Sequence, residues 1–81
     1  MRVLYFAAVR RSIGVGEELL DLPENIKTAG DLLAWLRNKD ELHEAGLSGR
    51  VCIAVNQEHV DENMRLDGVE EVAFFPPVTG G

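Results

Sequence analysis

The residues of this chain best suited to chemistry lie at its end, in Phe74-Phe75-Pro76-Pro77-Val78-Thr79-Gly80-Gly81. Gly80 and Gly81 have no Cβ, so they can enter a channel too narrow for any other residue and adopt conformations closed to the rest. They also leave the α-carboxylate of Gly81 without a steric shield. An extended segment from Val78 to Gly81 reaches roughly 13–14 Å. A tether of that length can carry a terminal carboxyl group from a folded body into the active site of another protein.

Other reactive groupings are weaker. Cys52 with His43 or His59 supplies the types needed for a thiol nucleophile and its base. Yet Cys52 alternates with Val51 and Ile53 in a β-like run, the usual setting of a small core cysteine. One cysteine and two distant histidines are too few for a zinc site, so neither a metal nor a bound cofactor is expected. Arg10 and Arg11 form the only basic doublet and read first as a solvated strand end. The acids Glu58, Asp61, Glu62, Glu70 and Glu71 surround the last turns, where they would be solvated or would steer a basic partner.

Composition narrows the classes further. At 81 residues the chain has room for one domain (1–81, with 76–81 as an extended tail). Its 46% hydrophobic content is enough for a core. A net charge of −6 argues against nucleic-acid binding, which needs a basic stripe. There is no long apolar run to cross a membrane, no basic leader and no cysteine pair, so a cytoplasmic protein is expected.

Several elements must position the tail. Val3-Leu4-Tyr5-Phe6-Ala7-Ala8-Val9 reads as a continuous apolar strand. Gly14 and Gly16 then supply a hairpin turn, and Glu18 to Leu22 forms a weaker returning strand closed by Pro23. Thr28 is an N-cap with Asp31 as its capping-box partner. Ala29, Leu32, Leu33 and Leu36 follow at helical spacing, and Trp35 packs beside that stripe. Lys39 to Gly46 adds a short helical turn. Val51 to Val55 is a third strand, a short piece around His59-Val60 a fourth, and Val72 to Phe75 the last, ended by Pro76. The order predicts an α+β fold, a mixed sheet packed on one main helix.

One helix covers one face of a sheet, whereas the outer strands are apolar on both. Alternation sends Leu4, Phe6 and Ala8 to the side opposite Val3, Tyr5, Ala7 and Val9, and parts Phe74 from Phe75. An apolar surplus on a small domain marks a partner surface. Phe6 and Phe75 are therefore expected at a docking face beside the tail.

The chain resembles the ubiquitin-like β-grasp sulfur carriers, in particular those that act as small subunits of molybdopterin synthase. The resemblance spans the whole chain. It is carried by Val3-Leu4-Tyr5-Phe6-Ala7 with Arg10 and Gly14, Val55-Asn56, Leu66-Asp67-Gly68, and Glu71 through to Phe74-Phe75-Pro76-Pro77-Val78-Thr79-Gly80-Gly81. Two departures stand out. Val69-Glu70 interrupts the family's acidic turn before the last strand, and His59 replaces an apolar residue expected on the docking sheet.

The resemblance implies that a ubiquitin-activating-like adenylyltransferase uses ATP to adenylate the Gly81 carboxylate, and that a sulfur donor protein converts it to a thiocarboxylate. The tail would then enter the large subunit of molybdopterin synthase, within a dimer of heterodimers, and pass sulfur to cyclic pyranopterin monophosphate. Gly81 is the reacting residue on this reading and Gly80 its slim neighbour. Phe6, Arg10, Phe75, Pro76, Pro77, Val78 and Thr79 would contact the partner, which holds the catalytic side chains. Two alternatives share the adenylation step: a modifier joined to lysines through Gly81, and a carrier for another pathway of the thiamin type. No convergent acid, base and nucleophile supports a stand-alone enzyme.

Overall fold

The computed structural model describes residues 1–77. Its sheet has five strands: β1 (Arg2–Tyr5), β2 (Glu17–Leu19), β3 (Cys52–Val55), β4 (Glu58–Val60) and β5 (Glu71–Phe75). They lie in the order β2-β1-β5-β3-β4. The outer neighbours pair antiparallel, whereas β1 and β5 run parallel at the centre. This is the mixed-sheet α+β architecture expected, with β5 as its middle strand. Asn56 and Gln57, both at positive φ (47° and 72°), make the tight turn that joins β3 to β4.

Three helices stand in place of one main helix. They are α1 (Ala7–Ile13), α2 (Ala29–Arg37) and α3 (Glu41–Gly46). The correction falls on the first apolar run, which stops being a strand at Tyr5. Ala7, at φ 52°, turns the chain off the sheet. Ala, Ala, Arg and Arg all favour helix, and Val9 and Ile13, four apart, bury together. Gly14 is the left-handed cap of α1 (φ 95°), donating its N–H to Arg10 O at 2.8 Å, and not a hairpin turn. Arg10 and Arg11 therefore belong to the last turn of a helix.

The longer α2 follows its sequence signals. Thr28 Oγ1 accepts from the Asp31 amide at 3.1 Å, and Asp31 Oδ2 accepts from the Thr28 amide at 3.1 Å. The amides of Lys27 and Thr28 hold the Asp31 carboxyl below its ordinary range. Ala29, Leu32, Leu33 and Leu36 are all buried. Replacing Thr28 with Ala should cost about 1 kcal/mol, a fall of roughly 4–8 °C in Tm for a domain of this size. Thermal unfolding of the variant measures it, and an unchanged Tm would show that the capping box contributes nothing.

All three helices serve one side of the sheet. Val3, Tyr5, Ile53, Val55, Val72 and Phe74 meet Val9, Ile13, Leu32, Leu36 and Leu47 in a single core, with Trp35 packed at its edge. Gly46 lets α3 approach α1 closely, since a Cβ there would come within 2.8 Å of Ile13 Cγ1. Arg37 donates to the carbonyls of Leu47 (2.8 Å) and Gly49 (3.0 Å), which fixes the loop leading into β3. No helix among the described residues is long and apolar enough to cross a membrane.

Candidate docking interface

Pairing register fixes which side chains share the face opposite the helices. Leu4 pairs with Ala73, Ala73 with Ala54, Ala54 with His59, and Cys52 with Phe75. Directly paired residues point to the same side of a sheet, so Leu4, Ala54, Ala73, Cys52, Phe75 and His59 form one surface. Arg2, Glu17, Leu19 and Glu71 continue it toward the β2 edge. No helix among the described residues covers this face. Its centre is small and apolar, and the Arg2–Glu17 and Arg2–Glu71 ion pairs make a charged rim on one side.

The two phenylalanines of β5 part as alternation requires. Phe74 is wholly buried and stacks on Tyr5 (centroids 6.4 Å apart), whereas Phe75 is half-buried on the open face. Phe6, at the turn from β1 into α1, is 47% exposed, and its amide donates to Phe74 O at 3.1 Å. That bond ties Phe6 to the strand that leads into the tail. Pro76 and Pro77 follow Phe75, half-buried and outside the ladder. Val78, Thr79, Gly80 and Gly81 lie outside the described residues.

His59 extends the face with an imidazole, whose ring lies 5.8 Å from Phe75, centroid to centroid, at 54°. The departure from an apolar residue therefore sits beside the principal aromatic of the surface. Cys52 stands half-buried on the same face, which is not the sealed core position its neighbours suggested. His43 lies elsewhere, enclosed by Asp40, Glu18 and Tyr5. The cysteine and His43 thus make no pair. Among the described residues no group of His, Cys, Asp and Glu could hold a metal ion.

Arg10 is exposed, with its guanidinium folded over Gly16, where a Cβ would approach Cζ to 3.0 Å. Gly16 O accepts from the Tyr5 amide at 3.0 Å. Arg10 thus stands at the end of the sheet from which the chain continues past Phe75, together with Phe6, Phe75, Pro76 and Pro77. Leu4 lies on the face, as alternation requires, and the same alternation that exposes Phe75 adds Ala73; Ala54 joins them only through the pairing of β3 with β5.

Among the described residues the arrangement provides an apolar sheet face and, at its end, the residues that lead into the tail. Known proteins resemble this chain along its full length. The ThiS family profile matches residues 3–81. A molybdopterin synthase sulfur carrier subunit of Haemophilus influenzae is 34% identical, covering 100% of this chain and 99% of its own. The protein of the same name from Homo sapiens is 33% identical, covering 100% and 93%. Among solved structures, a putative molybdopterin converting factor subunit 1 from Pyrococcus furiosus superposes with a TM-score of 0.72 at 30% identity, covering 95% of each chain. SAMP1 from Haloferax volcanii gives 0.76 at 25% identity, covering 100% of this chain and 98% of that one. A full-length profile match and relatives above 30% identity converge on one conclusion: the chain belongs to the ThiS family of ubiquitin-like sulfur carriers.

Proposed function

We propose that this chain is the sulfur carrier subunit of a molybdopterin synthase, working in molybdenum cofactor biosynthesis beside a large catalytic subunit. The observation that carries the reading is the uncovered apolar face, Leu4, Ala54, Ala73 and Phe75 with Phe6, lying at the root of a segment that ends on Gly80-Gly81. Such a face fits a protein partner, and its position lets docking aim the tail. The relatives' names supply the identity of that partner.

The chemistry follows from the terminal carboxylate. Carboxylate oxygen is a poor leaving group, so an adenylyltransferase first transfers AMP from ATP to Gly81 and releases pyrophosphate. Hydrosulfide released by a donor protein attacks the acyl carbon and displaces AMP, leaving a thiocarboxylate. In the large subunit that sulfur bonds to a carbon of cyclic pyranopterin monophosphate. Water then takes its place at the acyl carbon and regenerates the Gly81 carboxylate. Two such deliveries supply a dithiolene. Holding the two reactants together in a closed pocket accelerates the step by removing the entropy of encounter. This chain acts as a tethered co-substrate in the cytoplasm, and the acids and bases belong to its partners.

Incubation with the activating enzyme, ATP and a sulfur source, followed by intact-protein mass spectrometry, tests the reading. A gain equal to exchanging one oxygen for one sulfur, located at Gly81, is the expected result. With a demonstrably active enzyme, no gain together with lysine adducts in cells would replace the carrier by a protein modifier.

Phe75 should behave as an interface residue. Phe75→Ala is expected to weaken binding to the large subunit by 2 kcal/mol or more, about 30-fold, as aromatic anchors at interface centres do. Its Tm should move far less than that of Phe74→Ala, where a fully buried ring is lost at a cost of about 3–5 kcal/mol. Titration calorimetry with thermal unfolding separates the two. A large fall in Tm with unchanged affinity would place Phe75 in the core.

A further inference from the structure

The distribution of unpaired cations carries a further inference about how the carrier meets its partner, and it rests on the carrier reading above. The chain has a net charge of −6 and only eight Lys and Arg residues. Arg2, Lys39 and Arg65 are paired with carboxylates, and Arg37 is spent on the carbonyls of Leu47 and Gly49. Arg10, Arg11, Arg50 and Lys27 remain, with no carboxylate within 4.0 Å among the described residues.

Three of these four stand at one end of the sheet. Continuing the antiparallel register from Cys52 opposite Phe75 brings Arg50 level with Pro77, on the β3 side of the tail root. On the β1 side, α1 starts next to Phe6, whose amide bonds Phe74 O. The same helix carries exposed Arg10, folded over Gly16, and exposed Arg11 opposite its buried Val9 and Ile13. Asp61 and Glu62 line the same shallow depression as Arg50 without pairing to it. The opposite end of the sheet carries Asp21, Glu58 and Glu70, all exposed.

A helix C-terminus favours a cation in its last turn, which accounts for Arg10 and Arg11 but not for Arg50 in its loop. We propose that Arg10, Arg11 and Arg50 form a basic collar around the tail root, and that it steers this end of an acidic protein onto an acidic rim around the tail-receiving channel of the large subunit. Exposed charges of this kind act chiefly on the rate of encounter, and salt screens them. The polarity also orients the approach, because the acidic far end is repelled by the rim that attracts the collar.

The test is stopped-flow association with the large subunit at stepped ionic strength. Arg11→Glu/Arg50→Glu is compared with wild type and with Lys27→Glu, which reverses an exposed cation at the start of α2, away from the collar. At low salt the double variant should associate at least ten-fold more slowly, with a flattened salt dependence and a dissociation rate within two-fold of wild type. Lys27→Glu should change association less than two-fold. Equal effects from Lys27→Glu, or an unchanged association rate in the double variant, would overturn the collar and leave the carrier reading standing. Failure of the wild-type chain to bind the large subunit at all would overturn both.

Discussion

Deleting Gly81, or adding one residue after it, should abolish sulfur transfer and leave the folded domain unchanged. Each residue of extended chain spans about 3.3–3.6 Å, so the deletion draws the reacting carboxyl back by that distance. Displacing reacting groups by 1 Å can cost about 100-fold, and the loss here is expected to exceed that figure. The addition acts differently. It converts the Gly81 carboxylate into an amide, and a side chain on the new residue would stand in a channel suited to glycine. The last element of the sheet ends at Phe75 and the apolar face lies on the strands, so neither variant touches the core or that face. Single-turnover product formation, thermal unfolding and affinity for the large subunit should be measured on the same preparations. Affinity and Tm near wild type with no product is the expected pattern. Normal product formation by either variant would remove Gly81 from the mechanism.

The sequence points to tail and body through different signals. Gly80-Gly81 after two prolines is a matter of composition, and the two-faced strands follow from a period of two. Alternation put Phe74 beneath the helices and Phe75 on the open side, where both are found. The capping box and buried stripe of α2 are local too, and each residue acts within one or two turns. The first apolar run misled because seven apolar residues satisfy a strand and a helix equally well. What decides is Ile13, which pairs with Val9 only if the chain is helical, and Gly14, which reads as turn or helix cap alike. The parallel pairing of β1 with β5 joins residues about seventy positions apart, and no local pattern reports it. Cys52 illustrates the same limit: its neighbours fix that it lies in a strand, but its exposure depends on the helices covering only the other face.

The contact most hidden from sequence is also among those that matter most for stability. His43 is 4% exposed in α3 and bridges two carboxylates: Nδ1 lies 2.7 Å from Asp40 Oδ1, and Nε2 lies 2.6 Å from Glu18 Oε1, twenty-five residues away. Both contacts are hydrogen bonds together when both ring nitrogens donate. The Tyr5 hydroxyl donates to the same Glu18 oxygen at 2.7 Å, and Lys39 Nζ stands 3.4 Å from the other, so β1, β2 and α3 are joined through one carboxylate. Burial, then the bond to Glu18, pushes the Tyr5 hydroxyl well above its ordinary range, which keeps it a donor. For Glu18, burial works to raise the carboxyl, but hydrogen bonds from His43 and Tyr5 and the charges of His43 and Lys39 outweigh it and hold it below the ordinary 4.5. The His43 amide and ring likewise hold Asp40 below 3.8. Carboxyls depressed in the folded state stabilise it fully above their unfolded values, and the contribution is lost as pH falls through the lower folded ones. Wild-type Tm should therefore decline as pH drops below about 4.5. His43→Leu leaves Glu18 in place, only 18% exposed, without its main partner. Breaking such a pair from one side costs about 3 kcal/mol, or roughly 12–24 °C in Tm. Because burial still acts on Glu18 in the variant, protonation relieves it, and the gap to wild type should narrow between pH 7 and pH 4.5. Glu18→Leu/His43→Leu, which leaves no unpaired charge between them, should recover more than half of the loss. A gap independent of pH, with additive single and double variants, would mean that His43 stabilises by packing alone.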